Sequence, residues 1–256
     1  SRGLGDVYKR QAVIIDLVLN HSFGQSPFYL LYKDADGKPS ADNPWYNQES
    51  NIKNTSLSWG YDFNHESEYT RALVDSVAGF WMSEYKIDGF RYDFTKGFSN
   101  TPYGENDWAN GPDNARIANL KRMSAAVQKR QPGAYVIFEH LAATSEERQL
   151  GDAGILLWCN KNEAYCETAM GWSGSKTDFS GLYAGTSMPA GSLVGYMESH
   201  DEERTGFKAW KWGNTGVIAS TTSTNTGMSP ATGSNINLST RTKRLATNAA
   251  FFLTVP

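Results

Sequence analysis

Arg91 and Asp93 stand two residues apart in Gly89-Phe90-Arg91-Tyr92-Asp93, so on a strand both side chains leave the same face. A guanidinium beside a carboxylate favours its ionised form by charge and hydrogen bonding, the state a nucleophile needs. The alternative is a buried ion pair kept for structure, which costs desolvation and is weak evidence for stability. Glu139 follows the apolar run Tyr135-Val136-Ile137-Phe138, and such surroundings keep a carboxyl protonated, as a general acid requires. Asp201, in Glu198-Ser199-His200-Asp201, is a third carboxylate, suited to stabilising a cationic transition state. His200 precedes Asp201 in the chain, and His21 follows the apolar run that ends at Leu19. One acid kept ionised and another kept protonated is the division of labour of a retaining glycosidase, whose pair stands roughly 5–5.5 Å apart. Any one of these acids alone is more readily a helix cap or a loop salt bridge; their gathering is the argument for catalysis.

The elements that must position them alternate along the chain. Residues 12–19 (AVIIDLVL) form a nearly continuous apolar run, the mark of a parallel strand buried on both faces. Further strands are expected at 87–94, 135–138, 155–158 and 193–197. Leu73, Val74, Val77, Phe80, Trp81 and Tyr85 recur at helical spacing. A second helix is expected over 115–129, stopped by Pro132-Gly133; a weaker one falls between 158 and 193, and a last one covers 242–253. The polar stretch 22–64 is too long for an ordinary connection and reads as a functional loop or small inserted subdomain. Alternation of strand and helix means α/β with parallel strands and right-handed crossovers. In such folds chemistry gathers at the C-terminal strand ends, where Asp93, Glu139 and Asp201 fall. Pattern alone leaves a doubly wound open sheet beside a barrel.

The net charge of -3 and the pI near 5.8 offer no basic surface for nucleic acid. The aromatic residues are more informative, because many occupy polar loops, as in Trp45-Tyr46, Trp59-Gly60-Tyr61 and Trp210-Lys211-Trp212. Exposed rings suit the apolar faces of pyranoses; rings packed beneath long loops are the plainer reading. Cys159 and Cys166 are too few for a disulfide framework or a zinc site, whether they pair or stay as thiols. No apolar run approaches the roughly 18 residues of a membrane span. Residues 1–11 (SRGLGDVYKRQ) differ in composition from the rest of the chain and read as a non-native leader. Val255-Pro256 ends the chain directly after an apolar run, so 12–256 reads as a fragment.

These residues resemble the α-amylase family, glycoside hydrolase family 13, whose four short motifs appear in order. Asp16-Leu17-Val18-Leu19-Asn20-His21 is similar to the first, and Gly89 to Gly97 (GFRYDFTKG) to the second. Phe138-Glu139 falls where the third has its acid/base, and Glu198-Ser199-His200-Asp201 is similar to the fourth. Tyr61-Asp62-Phe63-Asn64 resembles a weaker additional motif. Two departures are Gly97, where His often follows the motif lysine, and Ser199, where Asn is more usual.

The resemblance implies an incomplete (β/α)8 TIM barrel of about strands 3 to 7, with 22–64 as the small subdomain inserted after strand 3. It implies Asp93 as nucleophile, Glu139 as acid/base and Asp201 as transition-state stabiliser. Arg91, His21 and His200 would contact the sugar or orient the carboxylates, and Lys96 would face the leaving-group side. Asn20 and Asn64 are the candidate oxygen donors to a calcium ion. The implied activity is retaining hydrolysis of α-1,4 bonds in starch-like glucans or maltooligosaccharides. A glucanotransferase or neopullulanase-type activity, a non-catalytic glycan-binding relative and an inactive fragment are the alternatives. The resemblance also favours a secreted or periplasmic location; oligomeric state has no sequence signal.

Overall fold

A computed structural model describes residues 11–172, 176–182, 187–214 and 238–254. The expected leader, apart from Gln11, and Val255-Pro256 lie outside the described residues. The chain forms two compact units, 1–158 and 159–256.

The first unit is built on parallel strands. β1 (Ile14–Leu17) pairs with β4 (Gly89–Tyr92), β4 with β5 (Tyr135–Phe138), and β5 with β6 (Leu156–Asn160), all parallel. β4 is buried along its whole length, with Phe90, Arg91 and Tyr92 as its side chains. Gly89 opens β4 because a Cβ there would stand 2.2 Å from the Tyr135 carbonyl oxygen. Between β4 and its neighbours run α2 (Glu68–Tyr85) and α3 (Asn114–Arg130). Val74, Ala78 and Met82 make the buried stripe of α2, one helical turn apart. The helix begins five residues before Leu73, because the Ser67 hydroxyl accepts from the Tyr69 amide and caps it. Asp113 caps α3 in the same way, accepting from Ala115 and Arg116.

The stretch 22–64 holds the short α1 (Pro27–Leu30) and a two-stranded antiparallel pair, β2 (His21–Ser22) with β3 (Tyr61–Asp62). Tyr29, Tyr46 and Phe63 form its core, with Trp45 and Tyr61 packed against them. Most of its rings therefore pack inward, and Trp59 is the exposed exception in the Trp59-Gly60-Tyr61 group. After β5 comes α4 (Thr144–Gly151).

β6 crosses the division between the units, and β7 (Leu193–Tyr196) follows it in the sheet order β1-β4-β5-β6-β7. The second unit also holds α5 (Asn162–Met170), α6 (Thr205–Trp212) and α7 (Leu238–Phe252), which pack on one another. The Cys166 thiol is buried in hydrogen bonds with Asn162 and Thr205 rather than in a disulfide with Cys159. The fold is the expected α/β one, with a five-stranded sheet. Among the described residues no helix is long and apolar enough to cross a membrane.

Candidate active site

Register decides which side chains meet at the rim of the first unit. Asp16 on β1 stands opposite Arg91 on β4, and Arg91 opposite Ile137 on β5. Two residues further on, the same face carries Asp93 and Glu139. The ladder continues past the strand ends, since the Asp93 amide donates to Leu17 O (3.0 Å) and the Glu139 amide to Tyr92 O (3.0 Å). Both acids are thus held by main chain as well as by side chain.

Arg91 is the hub. Its Nη1 donates to Asp16 Oδ1 (2.8 Å) and Asp93 Oδ1 (2.7 Å), and its Nη2 to Glu139 Oε2 (2.6 Å). Trp158 closes the guanidinium from one face, its ring centroid 4.0 Å from Cζ, a contact worth about 2 kcal/mol when desolvated. Side-chain exposure grades the three acids: 56% for Asp16, 17% for Asp93 and 12% for Glu139. Arg91 Nε is buried without a hydrogen-bond partner. Charged hydrogen bonds contribute about 1.5–3 kcal/mol each, against several kcal/mol for taking each ion out of water. Stability alone therefore gives little reason for this cluster.

Burial pushes the Glu139 carboxyl above the usual carboxylate range. The Phe94 amide and Arg91 pull it back, while the charge and hydrogen bonding of Asp93 push it up further. The net direction is upward despite a guanidinium at 2.6 Å. Burial would lower Arg91, but Asp16, Glu139 and Asp93 together keep it raised and charged. His21 is lowered by burial against the opposing pull of Asp93; its ring also meets Phe23 and Trp59, at centroid distances of 5.4 and 5.7 Å.

Phe94 lies between the strand and the 3-10 turn Thr95–Gly97, in the left-handed region at φ 41°, ψ 55°. That conformation costs a non-glycine residue on the order of 1–3 kcal/mol. It aims the Phe94 amide at Glu139 Oε2, 3.1 Å away.

The expected site residues therefore divide. Arg91, Asp93 and Glu139 come together, with His21 near enough to feel Asp93. Lys96 is buried and its Nζ donates to Asn110 Oδ1 (2.6 Å) and Trp108 O (3.3 Å). Asn20 Oδ1 is buried with no hydrogen-bond partner, whereas Asn64 Oδ1 accepts from the Glu66 and Ser67 amides and from Asn100. His200 and Asp201 belong to the second unit, where both are exposed and 3.4 Å apart. Their neighbour Glu198 accepts from the Thr205 amide at the start of α6 (2.6 Å). Asp16, Trp158 and the Phe94 amide were not assigned roles from sequence. The one available signal was that Trp158 sits at the end of an expected strand, while Asp16 is the single charge inside the apolar run 12–19.

No protein-family profile matches the sequence, and no curated protein matches it. Solved structures do. A type I pullulanase from Bacillus subtilis complexed with maltose superposes over 80% of this chain at 20% identity, with a TM-score of 0.52. An Anoxybacillus α-amylase matches over 80% at 16% identity and 0.54, and a Geobacillus thermoleovorans α-amylase complexed with acarbose over 80% at 16% and 0.56. The chain spans 29% of the first and 44% of each of the other two. At these identities the likeness is one of fold, shared with these pullulanase and α-amylase structures.

Proposed function

We propose, from that fold and from the Arg91 cluster, that the chain carries the catalytic rim of a retaining α-glucan hydrolase acting on α-1,4 bonds. The observation that carries the reading is a single guanidinium bridging two carboxyls, one of which is raised by burial. Asp93 attacks the anomeric carbon while Glu139 gives its proton to the leaving oxygen. A glycosyl ester forms on Asp93, and Glu139, now ionised, takes a proton from the water that releases the sugar. Arg91 is assigned the orientation of Asp93 for the attack, and Asp201 the stabilisation of the oxocarbenium-like transition state. His21 and His200 are assigned to the sugar at the cleavage point, and Lys96 to the leaving-group side. Complexes of the similar pullulanases with maltose, maltotetraose and maltotriose support an α-glucan as the substrate class.

Incubation with maltoheptaose followed by product analysis tests the reading. Shorter maltooligosaccharides are expected. Longer oligomers would replace it with a transferase, because a sugar hydroxyl would then be the acceptor, and no change in the substrate would sink it.

Asn20 fits a calcium donor and Asn64 does not, since only the first has an uncommitted buried carbonyl oxygen. Among the described residues no cluster of three His, Cys, Asp or Glu side chains could hold a metal, so donors would be mostly neutral oxygens. We propose that a calcium ion bound through Asn20 would act structurally, holding 22–64 to the barrel. A chelator should then lower the unfolding midpoint and added calcium restore it; a midpoint indifferent to both removes the ion from the account.

A further inference from the structure

Behind the two carboxyls lies a second polar cluster that touches neither of them. Arg116 is fully buried and grips Glu146 with two bonds, Nε to Oε1 (2.7 Å) and Nη2 to Oε2 (2.8 Å). Its Nη1 donates to the carbonyls of Lys96 (3.0 Å) and Ala109 (3.1 Å). Glu146, also fully buried, accepts from the Asp113 amide (2.8 Å) and meets His140 Nε2 (3.0 Å). The other ring nitrogen of His140 meets the Thr95 hydroxyl at 3.0 Å, and that hydroxyl lies 3.1 Å from Glu139 O. The Thr95 amide donates to the same carbonyl at 2.9 Å.

The protonation pattern is fixed by donor counting. Glu146 is held down at about 2: burial pushes it up, but hydrogen bonds from Arg116 and His140 prevail, so it only accepts. His140 is lowered by burial against the pull of Glu146. A neutral ring donating from Nε2 leaves Nδ1 to accept, and the single Thr95 proton is shared between Nδ1 and Glu139 O.

We infer that Thr95, His140, Glu146 and Arg116 form a brace that positions Glu139 against Asp93. The inference rests on the glycosidase reading. The brace grips the turn after the nucleophile at two points, the Thr95 side chain through His140 and the Lys96 carbonyl through Arg116. Between those points and Asp93 lies Phe94, whose left-handed backbone supplies the amide that binds Glu139 Oε2. A strained residue persists only where its surroundings over-determine it, and these four side chains do so. A buried ion pair serving stability alone would be replaceable by apolar groups. This one ends on the backbone of the acid/base.

Thr95→Val keeps the shape and removes the hydroxyl. The variant is expected to lose about 10- to 100-fold in kcat, the scale of a small misplacement of reacting groups, with KM within about twofold. The groups facing Glu139 are Arg91 on β4, Asp93 just after it, Asp16 through Arg91, and Lys96 in the turn, all retained. Loss of the Phe94 amide bond, which favours the ionised carboxyl, should move the alkaline limb of the kcat profile to higher pH. Thr95→Ser should restore both. Unchanged kcat, a limb that stays put while kcat and the unfolding midpoint fall together, or failure of serine to restore them would each overturn the brace. Carbon-13 titration of the Glu139 carboxyl in wild type and Thr95→Val reads the same displacement without substrate. If the wild type turned over no α-glucan but that titration still moved upward, the glycosidase reading would fail and the brace would stand as a holder of Glu139.

Discussion

On the proposed reading, Asp93→Asn is expected to turn over α-glucan on the order of 10⁴-fold or more slowly than the wild type, a loss typical of removing a covalent nucleophile. The amide has nearly the shape of the carboxylate and can still accept from Arg91, so the rim keeps its form. What it lacks is the charge that attacks the anomeric carbon and the oxygen that carries the glycosyl group. Binding should survive, because the sugar contacts assigned to His21 and the exposed rings of Phe23 and Trp59 are untouched. Calorimetry with maltoheptaose on the variant, beside a turnover assay, separates the two. Turnover within tenfold of wild type would remove Asp93 from its role, and loss of both binding and folding would show that the charge had been structural.

Arg91→Met has the second-largest effect, and it falls on both activity and stability. Removing the cation leaves Asp16, Asp93 and Glu139 facing one another. Breaking a buried pair costs about 3–5 kcal/mol; because Asp16 is half exposed and screened, roughly 2–4 kcal/mol is the better expectation. The sign of the pH dependence follows from Glu139. Its folded-state carboxyl is already raised, so its contribution to stability is present below the unfolded carboxylate range and is lost as pH rises through the folded value. Without Arg91 that value rises further and the window widens upward. The deficit against wild type should therefore be large at pH 7 and shrink toward pH 4, as read by denaturant unfolding at both. A deficit that grew on acidification would contradict the assigned partners. Activity should drop on the order of 10³-fold, since the guanidinium that holds both acids in place would be gone, and Arg91→Lys should recover little because one ammonium cannot span three carboxyls.

How far each feature was readable from sequence depends on the distance over which it is determined. Arg91 and Asp93 share a face by the two-residue period of a strand, and Glu139 ends an apolar run, so both were legible locally. The parallel strands were legible for the same reason, although β1 and β4 proved shorter than the apolar stretches at 12–19 and 87–94. α4 and α6 were missed because eight residues hold barely two helical turns, too few for a period to declare itself. Asp16 depends on the pairing of β1 with β4, which joins residues 75 apart. The Lys96 ammonium is fixed by where the loop at 108–110 returns. Asn64 was readable in principle, since an Asn three residues before Ser67 can accept amides in a turn. Trp45, Tyr46 and Trp59 look alike in sequence; only the folded stretch 22–64 tells the two packed into its core from the one left exposed.

The amides of Asp93 and Glu139 each donate to the strand beside them, so the two acids extend the adjacent ladders β1–β4 and β4–β5 of one sheet. Neighbouring strands lie about 4.7–4.9 Å apart, close to the roughly 5–5.5 Å between carboxyl groups that leaves no room for a water and so preserves anomeric configuration. On the proposed reading, the stereochemical outcome is a lattice constant of the sheet. Surface connections can lengthen, shorten or change composition and alter which glucan is admitted, while the handedness of the product stays with the backbone.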